Sequence, residues 1–474
     1  VLTGRVEMPE PTHSVVVPTA GHPRPPLDPV PWPTSGLDAA PPTAAALADA
    51  VRLPFATHLS RKSGGTSLVS ATWLTSYPHR PAGIQRRPEN SLTVTRARPP
   101  SAPPDRRRTP PQARGHTRPP CPAFLPHSVA AAFEPTQRRP TVLVACLDSS
   151  GEVLLSGPAV RAVAGSAQRV VMLTDPRGSA AARMLPGVDR VIEWRAPWTR
   201  DREPGEYWPE LLGFCAALGE VRPDAALVFT SAHQSPLPLA LLLRLTGVPW
   251  IGAISMDDPG NLLDLHHQVP EGMPEAERLL SLVEAAGYRL RASDSGRLAV
   301  RRPLPDTTDL TGPDGYVAVH VGGSAPARRL PVRLAVEATA KLAAEGIRVV
   351  VTGAAEDKAE AAAVAEAGAL DLAGRTSLPE LADVVDRAAV LVVGNTAPAH
   401  LAAAVQTPVV SLFAPVVPAS AWAPYGTRLR LLGDQNARCA GSRARACPVP
   451  GHPCLNSVTA DEVVQAVHEF VGAR

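Results

Sequence analysis

The stretch VLVVGNTAPAHLAAA, Val390–Ala404, governs the reading of the whole chain. Four apolar residues, Val390–Val393, stop at Gly394. A polar turn follows, and Ala/Leu-rich sequence then resumes with Pro398 near its start. An apolar run of this kind suits a strand buried on both faces of a parallel sheet. Thr396 stands where an N-cap belongs, and Pro398 where a first helical turn tolerates proline. Strand, turn and helix together aim free backbone N–H groups and a helix dipole at the carboxyl end of a sheet, a place that holds a phosphate or another anion. His400, in the first turns of that helix, is close enough to donate to the same anion. A capped sheet helix with no ligand fits the local pattern about as well.

Working outward, the same alternation fills the chain from Thr141 onward. Strand-like runs at Thr141–Leu147, Val170–Leu173, Val188–Ile192, Ala225–Phe229 and Ile251–Ile254 are interleaved with helical spacing at Val153–Ala164, Ser179–Leu185, Leu211–Leu218, Leu237–Leu245 and Glu275–Gly287. A second series opens at Tyr316–His320 and continues through a helix at Val332–Glu345 and a strand at Arg348–Thr352. A helix at Ala359–Glu366, a short strand from Asp371 to Gly374 and a helix at Leu378–Ala388 come next. Beyond the opening stretch lie a strand at Val409–Phe413 and a last helix at Asp461–Phe470 behind Thr459. Strands alternating with helices imply parallel sheets covered on both faces. The expected class is α/β, with two facing Rossmann-like domains at 141–305 and 306–474 and ligands at the carboxyl ends of the strands.

Residues 1–139 do not read as a packed domain. Proline-rich tracts run over Pro23–Pro33 and Pro99–Pro120, the second enclosing Arg106, Arg107 and Arg108. Proline fixes φ and lacks the amide that ladders need. A helix at Ala40–Val51 and a strand at Ser67–Ser76 are the only elements expected in this low-complexity extension.

Composition narrows the function. Across 474 residues, 47 basic side chains stand against 44 acidic ones, which argues against a strong nucleic-acid binder. The six cysteines are too few and too spread for a disulfide scaffold, so a reducing cytoplasm is the expectation. Neither a transmembrane span nor a secretory signal is expected. Cys439, Cys447 and Cys454, with His452 nearby, lack the tight pairing of structural zinc sites, so buried thiols or one disulfide are expected and no metal.

Three further stretches carry candidate chemistry. After the first strand, Asp148, Ser149, Ser150, Gly151 and Glu152 form a polar turn, in which Glu152 at a helix start could take a proton from an incoming hydroxyl. No G-x-G-x-x-G follows that strand. After the strand at 316–320, Gly322, Gly323 and Ser324 allow close approach of a ligand, and Arg328 and Arg329 offer charge for phosphates. His233, Gln234 and Ser235, with Asp257 and Asp258, fall in loops that would rim a cleft.

From about residue 141 to 472 the chain resembles the heptosyltransferase-like glycosyltransferases, glycosyltransferase family 9. The resemblance rests on LDSSGEVLLSGPAVRAV from Leu147, HVGGSAPARRLP from His320, VVTGAAED from Val350, LAGRTSLPELADVVDRA from Leu372 and GNTAPAHLAAAVQTPVVSLFAP from Gly394. It implies a GT-B fold, an N-terminal acceptor domain, a C-terminal donor domain, and inversion at the anomeric carbon without an essential metal. It also places the family's catalytic base position on Glu152, with Asp148 as a nearby substitute, and its leaving-group lysine on Arg328. The family's Asp/Asn-Thr-Gly-x-x-His loop falls on Asn395, Thr396, Ala397 and His400, with alanine in place of glycine, and its His-Pro-Gly start on His320, Val321 and Gly322.

The donor side is accordingly expected at His320, Gly322, Gly323, Ser324, Thr376 (with Ser377 beside it), Asn395, Thr396, Ala397, Pro398, Ala399 and His400. The acceptor side is expected at Ser149, Ser150, Gly151, His233, Gln234 and Asp258. The implied function is transfer of a sugar from a nucleotide diphosphate sugar to a glycan, glycolipid or small hydroxyl acceptor, with no cofactor. The implied location is the cytoplasm, with peripheral association at the inner face of the plasma membrane left open. An NDP-sugar epimerase, a sugar-nucleotide binder without turnover, and a structural protein are the alternatives.

Overall fold

The computed structural model describes residues 139–198, 207–231 and 233–471. The proline- and arginine-rich extension, with the helix expected at 40–51 and the strand at 67–76, lies outside the described residues.

Two six-stranded sheets form the frame. The first contains β1 (Thr141–Cys146), β2 (Arg169–Thr174), β3 (Arg190–Glu193), β4 (Ala225–Phe229), β5 (Ile251–Ile254) and β6 (Leu265–His267), in the order β3-β2-β1-β4-β5-β6. The second contains β7 (Val317–His320), β8 (Val349–Thr352), β9 (Ala369–Asp371), β10 (Val390–Gly394), β11 (Val409–Leu412) and β12 (Leu429–Leu432), in the order β12-β11-β10-β7-β8-β9. All pairings are parallel, and the two orders are the same when each sheet is counted from its own first strand. In such a sheet successive connections leave in opposite directions from the central pair, and a crevice opens there at the carboxyl ends. The central pairs are β1 with β4, where Cys146 lies beside Phe229, and β7 with β10, where His320 lies beside Val393.

The helices that position the site are α1 (Ser150–Leu155), α2 (Gly157–Ala164), α3 (Pro176–Met184), α4 (Trp208–Val221), α5 (Leu237–Leu245) and α6 (Glu275–Ala285) in the first half. The second half adds α7 (Val332–Ala344), α8 (Lys358–Glu366), α9 (Leu378–Asp386), α10 (Ala397–Val405) and α11 (Ala460–Val471). The helix expected at 153–164 begins three residues earlier and is divided at Ser156, just before Gly157 and Pro158. Proline cannot donate to the preceding turn, so the axis breaks there. The strand expected from Asp371 lies instead at Ala369–Asp371, and β6 and β12 were not expected at all. These three are short edge strands with half-exposed residues, so they lack the continuous apolar run that marks a central strand.

The halves do more than face each other. α1 packs on α10 and α3 on α9, and one apolar cluster runs through both halves, including Val153 and Leu154 of α1 and Ala399, Ala402 and Ala403 of α10. Full burial of a valine or leucine side chain stabilises by about 1.5–3 kcal/mol, so this shared core fixes the carboxyl ends of the two sheets toward one another. Cys146, Cys215, Cys439, Cys447 and Cys454 are free thiols, three of them buried. Among the described residues no helix is long and apolar enough to cross a membrane.

Candidate active site

The turns leaving the two central strand pairs supply the walls of one cleft. A cavity of about 200 Å³ is bounded by Asp148, Glu152, His233 and Gln234 on one side and by Ala325, Arg328, Trp422, Arg443 and Arg445 on the other.

On the first wall, α1 begins immediately after β1, which sets Glu152 in its first turn. Ser149 Oγ donates to Glu152 Oε2 at 2.6 Å, and Gln234 Nε2, from the loop after β4, donates to Asp148 Oδ1 at 2.7 Å. Burial pushes the Asp148 carboxyl up to about 7, and the adjacent Glu152 charge pushes the same way against the Gln234 hydrogen bond. Behind them Glu275, itself buried and raised by burial, is held at 3.1 Å by Arg278, whose guanidinium also donates to Thr230 O at 2.7 Å. Ser150 Oγ is occupied with Arg177 O at 2.8 Å. Asp258 is not brought to the cleft, because its carboxylate accepts from Gly260 N at 3.0 Å and closes its own exposed turn.

On the second wall the glycine that ends β10 has a steric reason. A Cβ on Gly394 would lie 2.1 Å from Arg328 O and 2.9 Å from Leu330 N, so only glycine lets the 328–330 segment cross the end of the strand. Arg328 is thereby laid over the start of α10. Among the described residues it makes no ion pair, although Glu152 lies within electrostatic reach. Arg329 is also engaged within the protein: its Nε donates to Gly323 O at 2.6 Å and its Nη1 lies 3.6 Å from the buried Asp357, while the residue borders a neighbouring cavity with His320 and Ser324. Gly322 and Gly323 likewise make room for Asp357 and Thr396 of the protein itself.

The turn before α10 is narrower as an anion site than its sequence implies. Pro398 has no amide hydrogen, while Thr396 N donates to Gly394 O at 2.9 Å and Ala399 N to Thr396 O at 3.0 Å. Asn395 is committed to the next loop, exchanging hydrogen bonds of 3.2 Å with Ala414 O and Ala414 N. Thr396 caps the helix by backbone geometry without a side-chain bond. Its Oγ1 is buried with no partner, and so is His400 Nδ1. A buried polar atom left without a partner is costly, and two of them lie in this one turn. Burial, and then the Arg328 charge, pull the His400 pKa down to about 4, so the ring is neutral at neutral pH. His320 is also pulled to about 4 by burial, with Nδ1 2.9 Å from Thr352 Oγ1. The Ala397 methyl lies toward α1, where a Cβ on Gly151 would meet it at 3.6 Å and His400 Cδ2 at 3.3 Å.

A second cavity, about 330 Å³, opens beside the first. It is lined by His320, Gly323, Ser324, Asp357, Thr376 and Ser377 among others. Thr376 and Ser377 thus share a hollow with the turn after β7. Trp422, Arg443 and Arg445 were missed. The arginines lie deep in the long connection after β12, away from the end of the strand, and their only sequence signal is the run from Arg438 to Arg445.

Two facing Rossmann-like halves with their strand-order reversals opening on one shared cleft define a GT-B fold. Residues 217–452 match the family model of glycosyltransferase family 9 (heptosyltransferase). Solved structures of similar fold include a family 9 glycosyl transferase from Veillonella parvula (15% identity, 71% of this chain and 98% of that one, TM-score 0.57). ADP-heptose lps heptosyltransferase II of E. coli is 19% identical over 70% of this chain and 98% of that one, with a TM-score of 0.54. E. coli heptosyltransferase WaaC, solved with ADP-2-deoxy-2-fluoro heptose, is 21% identical over 69% and 99%, with a TM-score of 0.52. No curated protein matches this chain.

Proposed function

We propose that the enzyme moves a sugar, with inversion and without an essential metal, from a nucleotide diphosphate sugar to a hydroxyl of a glycan or glycolipid. The observation that carries this reading is a pair of carboxylates, Asp148 and Glu152, set across one cleft from Arg328, a cation with no ion pair of its own among the described residues. Glu152 removes the acceptor hydroxyl proton. The oxygen attacks the anomeric carbon from the face opposite the diphosphate, and the electrons of the breaking carbon–oxygen bond pass to the phosphate oxygen. Arg328 stabilises the charge that builds there, with Thr396 Oγ1 and the neutral His400 as uncharged partners. The nucleoside occupies the cavity bordered by Thr376 and Ser377. An ADP-heptose is the first donor to try, since the similar WaaC structure carries an analogue of one. The place of action is the cytoplasm, where the acceptor stands at the inner membrane face.

The test is a donor screen by thermal shift followed by transfer assays. Glu152→Gln should lose at least about a hundredfold in turnover, the usual contribution of a general base, while binding the donor normally. Arg328→Ala should lose turnover together with diphosphate affinity. Wild-type turnover by Glu152→Gln would remove it as the base. Epimerised sugar appearing without an acceptor would identify an epimerase, and tight donor binding with no transfer to any acceptor would leave a binder without turnover.

A further inference from the structure

The two cavities meet at one short segment. The cleft ends on Ala325 and Arg328, and the neighbouring hollow ends on Gly323 and Ser324. On the donor reading above, a nucleoside in the hollow and a sugar in the cleft lay two phosphates across residues 323–328. Arg445 stands over this segment. Its carbonyl accepts from Ala327 N at 2.9 Å, and its Nη2 donates to Ser324 O at 3.2 Å.

The loop that carries Arg445 is pinned. Gly441 N donates to Pro415 O at 2.8 Å and Arg443 N to Val416 O at 2.7 Å, while Cys439 and Cys454 are buried beneath it. Arg445 makes no ion pair among the described residues, and one hydrogen bond leaves most of its guanidinium donors available. It also stands close to a second unpaired guanidinium. Burial lowers the Arg328 pKa, Glu152 opposes that, and the Arg445 charge adds to it. Two arginines held together against their own repulsion, at the junction of a nucleoside-sized hollow and a reacting cleft, form a site for a doubly charged group.

We infer that Arg445 is a second arginine of the donor site, holding the phosphate next to the nucleoside, while Arg328 holds the phosphate next to the sugar. The division follows from position: both arginines line the cleft, but only Arg445 is also tied to Ser324, which lines the hollow. Arg445 is thus a binding residue supplied by the loop between β12 and α11, and it acts on donor affinity more than on the chemical step.

The assignment is tested by calorimetric titration of the full chain with ADP, GDP and UDP and with AMP, GMP and UMP. For whichever base binds, Arg445→Ala should weaken monophosphate and diphosphate alike, by about tenfold, the scale of a charge-assisted hydrogen bond. Arg328→Ala should weaken the diphosphate more than the monophosphate. The Arg445→Ala deficit should shrink at high salt, which loss of mere loop packing would not do. Arg445→Lys, which keeps the charge and the backbone bond to Ala327, should recover part of the affinity. In transfer assays the donor KM should rise with kcat nearly unchanged. Wild-type affinity for both nucleotides in Arg445→Ala overturns the assignment while leaving the donor reading intact. A wild-type chain that binds none of the six nucleotides overturns both.

Discussion

At the scale of single residues, the cleft has two opposite responses to acid. Asp148 binds its proton more tightly in the folded chain, at about 7 against an ordinary 3.8. Between those values the folded form is protonated and the unfolded form ionised, so this group's contribution falls as pH rises and stays low above about 7. Asp148→Asn should therefore gain melting temperature over wild type as pH increases from about 4 to about 7, with the difference constant above that. Equal melting temperatures at pH 5 and pH 8 would show that Asp148 is not held as the structure places it. His320 and His400 act in the other direction. Each is neutral in the fold down to about 4, against an ordinary 6.5. The unfolded chain takes up protons first, and stability is lost as pH drops through that window. In the pH 4–6.5 range the two kinds of group oppose one another, so Asp148→Asn should leave acid destabilisation in place.

At the scale of elements, the position of each turn matters more than its composition. Gly394 permits Arg328 to cross the end of β10, so Gly394→Ala should cost about 1–3 kcal/mol through overpacking and should also displace Arg328. Denaturant titration together with nucleotide titration checks both effects. Gly219, in α4 with nothing within 4 Å of an added Cβ, is the contrast: Gly219→Ala should stabilise by up to about 1 kcal/mol and leave nucleotide binding unchanged. These differences also mark what the sequence could show. β1, β4, β7 and β10 were legible because a strand buried on both faces writes a continuous apolar run, and the turns that follow such strands were legible with them. β6, β9 and β12, half-exposed at sheet edges, carry no such signal. The bonds of Asn395 to Ala414 were not legible because that partner is nineteen residues away and in a different turn. The engagement of Arg329 with Gly323 and Asp357 was not legible from its place beside Arg328. Arg445 was invisible because only the fold of its loop brings it to Ser324.

At the scale of the molecule, two sheets of identical strand order are joined through α1 on α10 and α3 on α9, and each donates one wall of the cleft. The walls carry opposite charge. With the cleft empty, Glu152 and Arg328 attract each other across it, so each is the other's competitor for substrate. A diphosphate that takes Arg328 relieves Glu152 of that partner and leaves its carboxylate to the incoming hydroxyl. The kinetic signature is compulsory order: donor first, acceptor second. A dead-end acceptor analogue should then inhibit uncompetitively against the donor, and Glu152→Gln should let the analogue bind without donor present. Noncompetitive inhibition against the donor in the wild type would mean that the acceptor needs no such invitation.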